Sequence, residues 1–286
     1  HRDLHSFPTR RSSDLLARNA DVNTKASNGT QPLWVVSVKG STEVARLLIE
    51  KGADVNTRDN EGTTPLMVAA LMDHASLAEL FVDKGADVNA AVTNGRTALM
   101  MACELGHSDV VRVLLDKGTN VNAKDKAGAT ALVLGLSRGH ADVVQLILSK
   151  GGDVNAQDSD GLTPLARASL HGHAQVVKLL LEKGADVNTK VKYGGTPLMA
   201  ASYKGSLEIV RLILERKAEV KTRDDKGVTA LMNAAYEGHV DIVKLLLAKG
   251  AMVDIKTNEG KSALDAAQDG RSTQVVELLQ AHGAKE

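Results

Sequence analysis

The sequence predicts an all-α solenoid, a stack of short helix-turn-helix units joined by tight turns and hairpin loops. Three observations carry that prediction. A leucine recurs every 33 residues, at Leu33, Leu66, Leu99, Leu132, Leu165, Leu198, Leu231 and Leu264, with no insertion or deletion, and a fixed period of this length marks stacked supersecondary units. Helix start and stop signals recur at the same step. Aromatic residues make up only 2% of the 286-residue chain while 43% is hydrophobic, so small aliphatic side chains must fill the interior, as thin helices in close contact require.

Within a unit the first helix opens at a stretch such as Gly62-Thr63-Thr64-Pro65-Leu66. Thr64 reads as the N-cap and Pro65 as the first helical residue, where its missing N–H costs nothing. Four of the five prolines (Pro32, Pro65, Pro164, Pro197) take this slot. A turn then leads to a second helix such as the one through Asp109 and Leu115, whose Val110, Val111, Leu114 and Leu115 share one face. Gly118 stops it. That closing glycine recurs at Gly52, Gly85, Gly151, Gly184, Gly250 and Gly283, where a left-handed cap is expected. Neither helix could bury its apolar face alone, so stability must come from stacking on neighbours.

The 33-residue step, the Thr-Pro-Leu opening, the Gly-His turns (Gly106-His107, Gly139-His140, Gly172-His173, Gly238-His239) and a Gly-Ala-Asp-Val-Asn close together resemble ankyrin repeats. The resemblance runs from about residue 16 to the end. It implies a partial unit at 16–25, full units at 26–58, 59–91, 92–124, 125–157, 158–190, 191–223 and 224–256, and a C-terminal capping unit at 257–286. The histidine usual after Thr-Pro-Leu in that family is replaced by Trp34, Met67, Met100, Val133, Ala166, Met199, Met232 and Asp265. A methionine there is expected to keep the packing and give up the polar tie. In the sixth unit Lys217 and Lys221 stand where glycine and asparagine recur, and a non-glycine residue in the left-handed region costs roughly 1 kcal/mol. That turn is therefore expected to be looser or differently shaped. Residues 1–15 lack the repeat pattern and resemble a translated sequencing adapter, so they read as a non-native or disordered leader. The native N-terminus, with any cap, signal or partner domain, is expected upstream.

Composition narrows the function. The 35 basic and 35 acidic side chains cancel, which argues against a general affinity for nucleic acid or anionic membrane. Residues 1–15 carry three of the basic and two of the acidic ones, so the balance does not depend on them. No apolar run is long enough to span a bilayer, and the chain reads as soluble. Compartment stays open, with the cytoplasm as the default. The single Cys103 excludes a disulfide framework and multi-cysteine zinc sites. It occupies a small-residue helix position, where a buried filler is expected. His74, His107, His140, His173 and His239 share one repeat position, so neighbours stand roughly one helix-packing distance of 8–10 Å apart, too far to share a metal. They read as turn residues, and the lone His171-x-His173 is a weak metal signal. Asp59, Asp125, Asp158 and the pair Asp224-Asp225 fall in loops, where turn chemistry is expected. No cofactor or metal is predicted, and no catalytic set.

If scaffold positions repeat, binding residues should be those that do not. In the ankyrin family those are the hairpin tips and the last two residues of the first helix, which line a concave groove. The matching positions here are Val38 and Lys39, Leu71 and Met72, Glu104 and Leu105, Ser137 and Arg138, Leu170 and His171, Tyr203 and Lys204, and Tyr236 and Glu237, of which Leu71, Met72, Leu105, Arg138, Leu170, His171, Tyr203, Lys204, Tyr236 and Glu237 are the expected binding residues. All three tyrosines of the chain fall on variable positions, Tyr193 in a hairpin tip and Tyr203 and Tyr236 at helix ends. Tyrosine joins a large apolar face to a hydroxyl at modest entropic cost, as an interface anchor should. The expected function is that of a non-catalytic, monomeric scaffold binding a protein partner. The alternative is a regulatory or targeting module of a larger enzyme or secreted effector whose catalytic domain lies upstream.

Overall fold

The computed structural model describes residues 21–285; the leader and the start of the predicted partial unit lie outside them. Sixteen α-helices occur among the described residues, each seven to nine residues long, and they alternate as first and second members of pairs. In order they are α1 Pro32–Lys39, α2 Thr42–Glu50, α3 Pro65–Leu71, α4 Ala75–Asp83, α5 Ala98–Leu105, α6 Ser108–Asp116, α7 Ala131–Ser137, α8 Ala141–Ser149, α9 Pro164–His171, α10 Ala174–Glu182, α11 Pro197–Lys204, α12 Leu207–Glu215, α13 Ala230–Tyr236, α14 Val240–Ala248, α15 Ala263–Asp269 and α16 Thr273–Ala281. No extended strand forms among the described residues; a single bridge joins Ala91 to Thr97. The residues divide into two compact units, one running to Gly135 and including 149–151, the other comprising 136–148 and 152 onward.

Both units are built the same way. In the first, α1, α3 and α5 pack in succession, as do α2, α4 and α6. In the second, α9, α11, α13 and α15 form one row and α10, α12, α14 and α16 the other. Helices this short are marginal alone in water, so the buried aliphatic stripes hold them. Val110, Val111, Leu114 and Leu115 of α6 are buried as their spacing requires. In the second unit Ile147, Leu180, Ile213 and Leu246 bury an aliphatic side chain at the equivalent position of successive pairs; in the first unit Phe81 and Leu114 hold that position, and both are fully buried.

The threonine caps form as expected: the hydroxyl oxygens of Thr64, Thr97, Thr163, Thr196 and Thr229 accept from the amides three residues on at 3.2–3.3 Å. The methionine that follows does more than pack. Met67 Sδ stands 3.5 Å from the Thr64 amide, so thioether sulfur keeps a weak form of the tie that was expected to be lost. In α15 the exchange is stronger, because Asp265 Oδ2 accepts from both the amide and the hydroxyl of Ser262, at 2.6 and 2.7 Å. Aspartates organise the hairpins: Asp59, Asp125, Asp158 and Asp224 each accept from two amides within their own turn.

Between successive pairs, asparagines at the 33-residue step form a ladder. Asn56 Oδ1 accepts from the Asp87 amide at 2.7 Å and its Nδ2 donates to the Gly85 carbonyl at 3.0 Å. Asn23, in the first unit, does the same with Asp54 and Gly52. In the second unit Asn155 accepts from Asp186 and Asn188 from Glu219. The turn at Lys217 departs from expectation. Lys217 adopts the same left-handed conformation as the glycines, φ 62°, and its amide reaches the Leu214 carbonyl at 3.0 Å. The turn therefore keeps its shape, because nothing crowds that position: at the equivalent Gly184 and Gly250 a Cβ would meet no atom within 4 Å. What is lost is the ladder, since Lys221 has no amide oxygen to offer the Met252 amide.

Candidate protein-binding surface

In the second unit the caps at Thr163, Thr196 and Thr229 set where α9, α11 and α13 begin. Because these helices pack in sequence with their starts in register, their ends are in register too. Leu170, Tyr203 and Tyr236 consequently occupy equivalent positions on successive pairs, and they are 38%, 51% and 52% exposed. One residue further along stand Arg138, His171, Lys204 and Glu237, all exposed. Lys204 lies back over the preceding turn, so that a Cβ on Gly172 would come within 3.3 Å of its Cε.

Tyr193 is placed differently. It sits in a short 3₁₀ turn, Lys192–Gly194, at φ 66° and 70% exposed, with Lys192 Nζ 5.2 Å from its ring centroid. Its carbonyl accepts from the Asp225 amide at 3.0 Å, which ties this hairpin to the next. Among the described residues no ring contact joins the three tyrosines. Tyr203 and Tyr236 form a row on helix ends, and Tyr193 stands on a hairpin tip.

In the first unit Leu71, Met72 and Leu105 are also exposed. The expected pairing with the last two helical residues needs adjusting by one position. Met72 and Glu237 are the C-cap residues of α3 and α13, and Arg138 follows the end of α7. The Met72 and Glu237 amides still reach the carbonyls four residues back, so the residues continue the helix surface without belonging to it.

Two ion pairs between them engage Glu104, a helix-end position that the sequence singles out, and bring in Arg96, Lys261 and Asp269, which the repeat pattern alone did not. Arg96 meets Glu104 in the first unit, and Lys261 Nζ meets Asp269 at 2.5 Å in the second. Both join the residue before the helix cap to the side chain eight positions on. The same register sets Leu162 against Leu170 and Val228 against Tyr236, and Leu162 and Val228 are half-buried. Arg167 was likewise missed; it is held by Asp158 at 2.5 Å and Asp160 at 2.9 Å, from the hairpin onto α9. The signal available was the opposite-charge pair at a spacing of eight, visible only once loop and helix end are known to face each other.

The remaining polar groups serve structure. His173 and His239 ring nitrogens reach the carbonyls of Ser137 and Tyr203 at 3.5 and 3.2 Å, as His74 reaches Val38 at 3.3 Å in the first unit. A Cβ on Gly205 would stand 2.4 Å from the His239 ring and one on Gly139 2.8 Å from His173. His171 and His173 stack with centroids 5.8 Å apart, and His171 Nδ1 bonds the Arg167 carbonyl at 2.8 Å. Among the described residues no group of three or more His, Cys, Asp and Glu is arranged to hold a metal ion, and no helix is long and apolar enough to cross a membrane. Cys103 is fully buried, and burial pushes its thiol far above its ordinary range, opposite to what a nucleophile needs.

Compared with known families, the chain matches the family model described as ankyrin repeats (3 copies), over residues 12–92, 89–158, 137–224 and 216–286. Among curated proteins none matches it.

Proposed function

The chain belongs to the ankyrin-repeat family, whose members generally serve as protein-protein interaction modules and are typically non-catalytic, and from that premise we propose that it is a scaffold capturing one protein partner on the surface formed by first-helix ends and hairpin tips. The carrying observation is the in-register exposure of Leu170, Tyr203 and Tyr236. Large apolar side chains standing half in water on successive pairs cost hydration and contribute little to the stack. They gain only when something covers them. Tyr203 and Tyr236 are the main anchors, with Leu170 beside them and Tyr193 contributing from its hairpin. Arg138, His171, Lys204 and Glu237 form the polar rim. In the first unit Leu71, Met72 and Leu105 offer a smaller patch of the same kind. The balanced overall charge favours protein over nucleic acid as the partner.

The test is affinity capture from a lysate of the source organism with the full chain and with its Tyr203→Ala/Tyr236→Ala variant. Both rings are half exposed, so their removal is expected to leave stability within about 0.5 kcal/mol. Each hot-spot tyrosine contributes roughly 2 kcal/mol, about 30-fold in affinity, and the partner should vanish from the variant's eluate. Equal capture by both forms would sink the assignment.

A further inference from the structure

Resting on that groove reading, we propose that the occupant is an acidic segment of the partner protein, bound in the extended helix of three residues per turn and anchored by apolar side chains at every third position. Spacing is the first argument. Leu170, Tyr203 and Tyr236 occupy one position on successive packed helices, and packed helix axes lie roughly 8–10 Å apart. A β-strand returns a side chain to the same face every second residue, about 6.6 Å, or every fourth, about 13 Å, and fits neither way. The three-fold extended helix returns after about 9.3 Å, inside the range. An α-helix returns after seven residues, about 10.5 Å, and measures about 10–12 Å across with its side chains. That return overshoots the spacing of adjacent helix axes.

Charge is the second argument. Arg138, His171 and Lys204 run beside the apolar row on three successive pairs, and Arg138 and Lys204 have no ion pair among the described residues. Asp158 and Asp160 are engaged by Arg167 and Asp269 by Lys261, while Asp225 stands exposed on the hairpin that follows Tyr193. Glu237 ends the row at Tyr236. Along the helix ends the charge is thus positive from Arg138 to Lys204 and negative at Glu237, and it complements a segment whose carboxylates lie toward Arg138. The leaning of Lys204 over Gly172 carries its charge the same way.

A random library of peptides about twelve residues long, enough for three anchors and their flanks, displayed on phage and selected against the full chain, tests this directly. Expected are peptides rich in Asp and Glu, with apolar residues three apart. A synthetic consensus should lose about tenfold on Arg138→Glu/Lys204→Glu at low salt and less at about 0.5 M salt, where screening weakens rim charges. Arg138→Met/Lys204→Met keeps the stems and should lose less than the reversal. Circular dichroism checks that each variant folds. Peptides that need Tyr203 and Tyr236 but are basic, or carry anchors seven apart, overturn this proposal and leave the groove reading standing. Peptides held equally by Tyr203→Ala/Tyr236→Ala overturn the groove reading itself. No enrichment at all counts against the proposal, while tyrosine-dependent capture of a folded protein would still support the groove.

Discussion

Replacing Lys221 with asparagine should restore a missing rung. In the second unit Asn155 accepts from the Asp186 amide at 3.1 Å and Asn188 from the Glu219 amide at 2.9 Å, and in the first unit Asn56 also donates back to the closing glycine carbonyl. At Lys221→Asn the corresponding partners are the Met252 amide and the Gly250 carbonyl. Met252 is 42% exposed and borders a recess with Val253, Asp254 and His282, so both groups now face water. An exposed hydrogen bond contributes near the low end of about 0.5–1.5 kcal/mol. Two of them give about 1 kcal/mol, close to a fivefold shift in local opening. Hydrogen exchange at the Met252 amide should slow about fivefold in Lys221→Asn, and the Glu219 amide, held by one such bond, should exchange about twofold faster in Asn188→Ala. If Met252 exchanges at the native rate in Lys221→Asn while Asn188→Ala behaves as stated, the ladder is not transferable and the reasoning fails at this turn.

Three other expectations rest on the same contacts. Gly205→Ala should destabilise well beyond the roughly 1 kcal/mol that a left-handed alanine costs at the open Gly250, because its Cβ meets the His239 ring at 2.4 Å; His239→Ser in the same chain should recover part of the loss, as thermal melts of the single and double variants would reveal. Asp265 is held below the usual carboxylate range by the hydroxyl and then the amide of Ser262. Its folded value thus lies below the unfolded one of about 3.9, so its contribution is complete at neutral pH and fades as pH falls from there through the folded value. Melting temperature should then fall less steeply with acid in Asp265→Asn than in the native chain, and parallel slopes would refute it. Cys103 should resist thiol reagents in the folded chain and react once denaturant exposes it, since burial disfavours the thiolate; prompt labelling under native conditions would contradict its placement.

The scaffold was legible because its signals are local and repeated. A Thr-Pro pair, a closing glycine and an i, i+1, i+4, i+5 stripe each act within one turn of helix, and the structure places caps, ends and buried faces where those signals stand. The exposed apolar helix ends could be found by subtraction, as positions the scaffold does not dictate. Contacts that cross from one pair to the next were not legible in the same way. The ion pair of Lys261 with Asp269 depends on a loop foot facing a helix end, and the sulfur tie from Met67 to the Thr64 amide on a rotamer that composition does not specify. Lys217 taught the opposite lesson. A penalty near 1 kcal/mol raises the energy of a turn without changing its shape when neighbouring contacts already dictate the path.

The histidine that leans onto the preceding turn makes one pair's residue choice a condition on the next. His239 admits only glycine at 205, and His173 only glycine at 139, whereas Ser206 leaves 3.9 Å at Gly172. Asp73 breaks the rule, and there His107 has turned to reach the Ala70 carbonyl through Nδ1 instead. Although the period is uniform, the repeats are not freely interchangeable parts. A unit duplicated, deleted or transplanted into another array arrives with a demand on its upstream neighbour, a demand weakest where Ser206 stands in place of the histidine and firmer at Ser272, whose Oγ would stand 3.2 Å from a Cβ on Gly238.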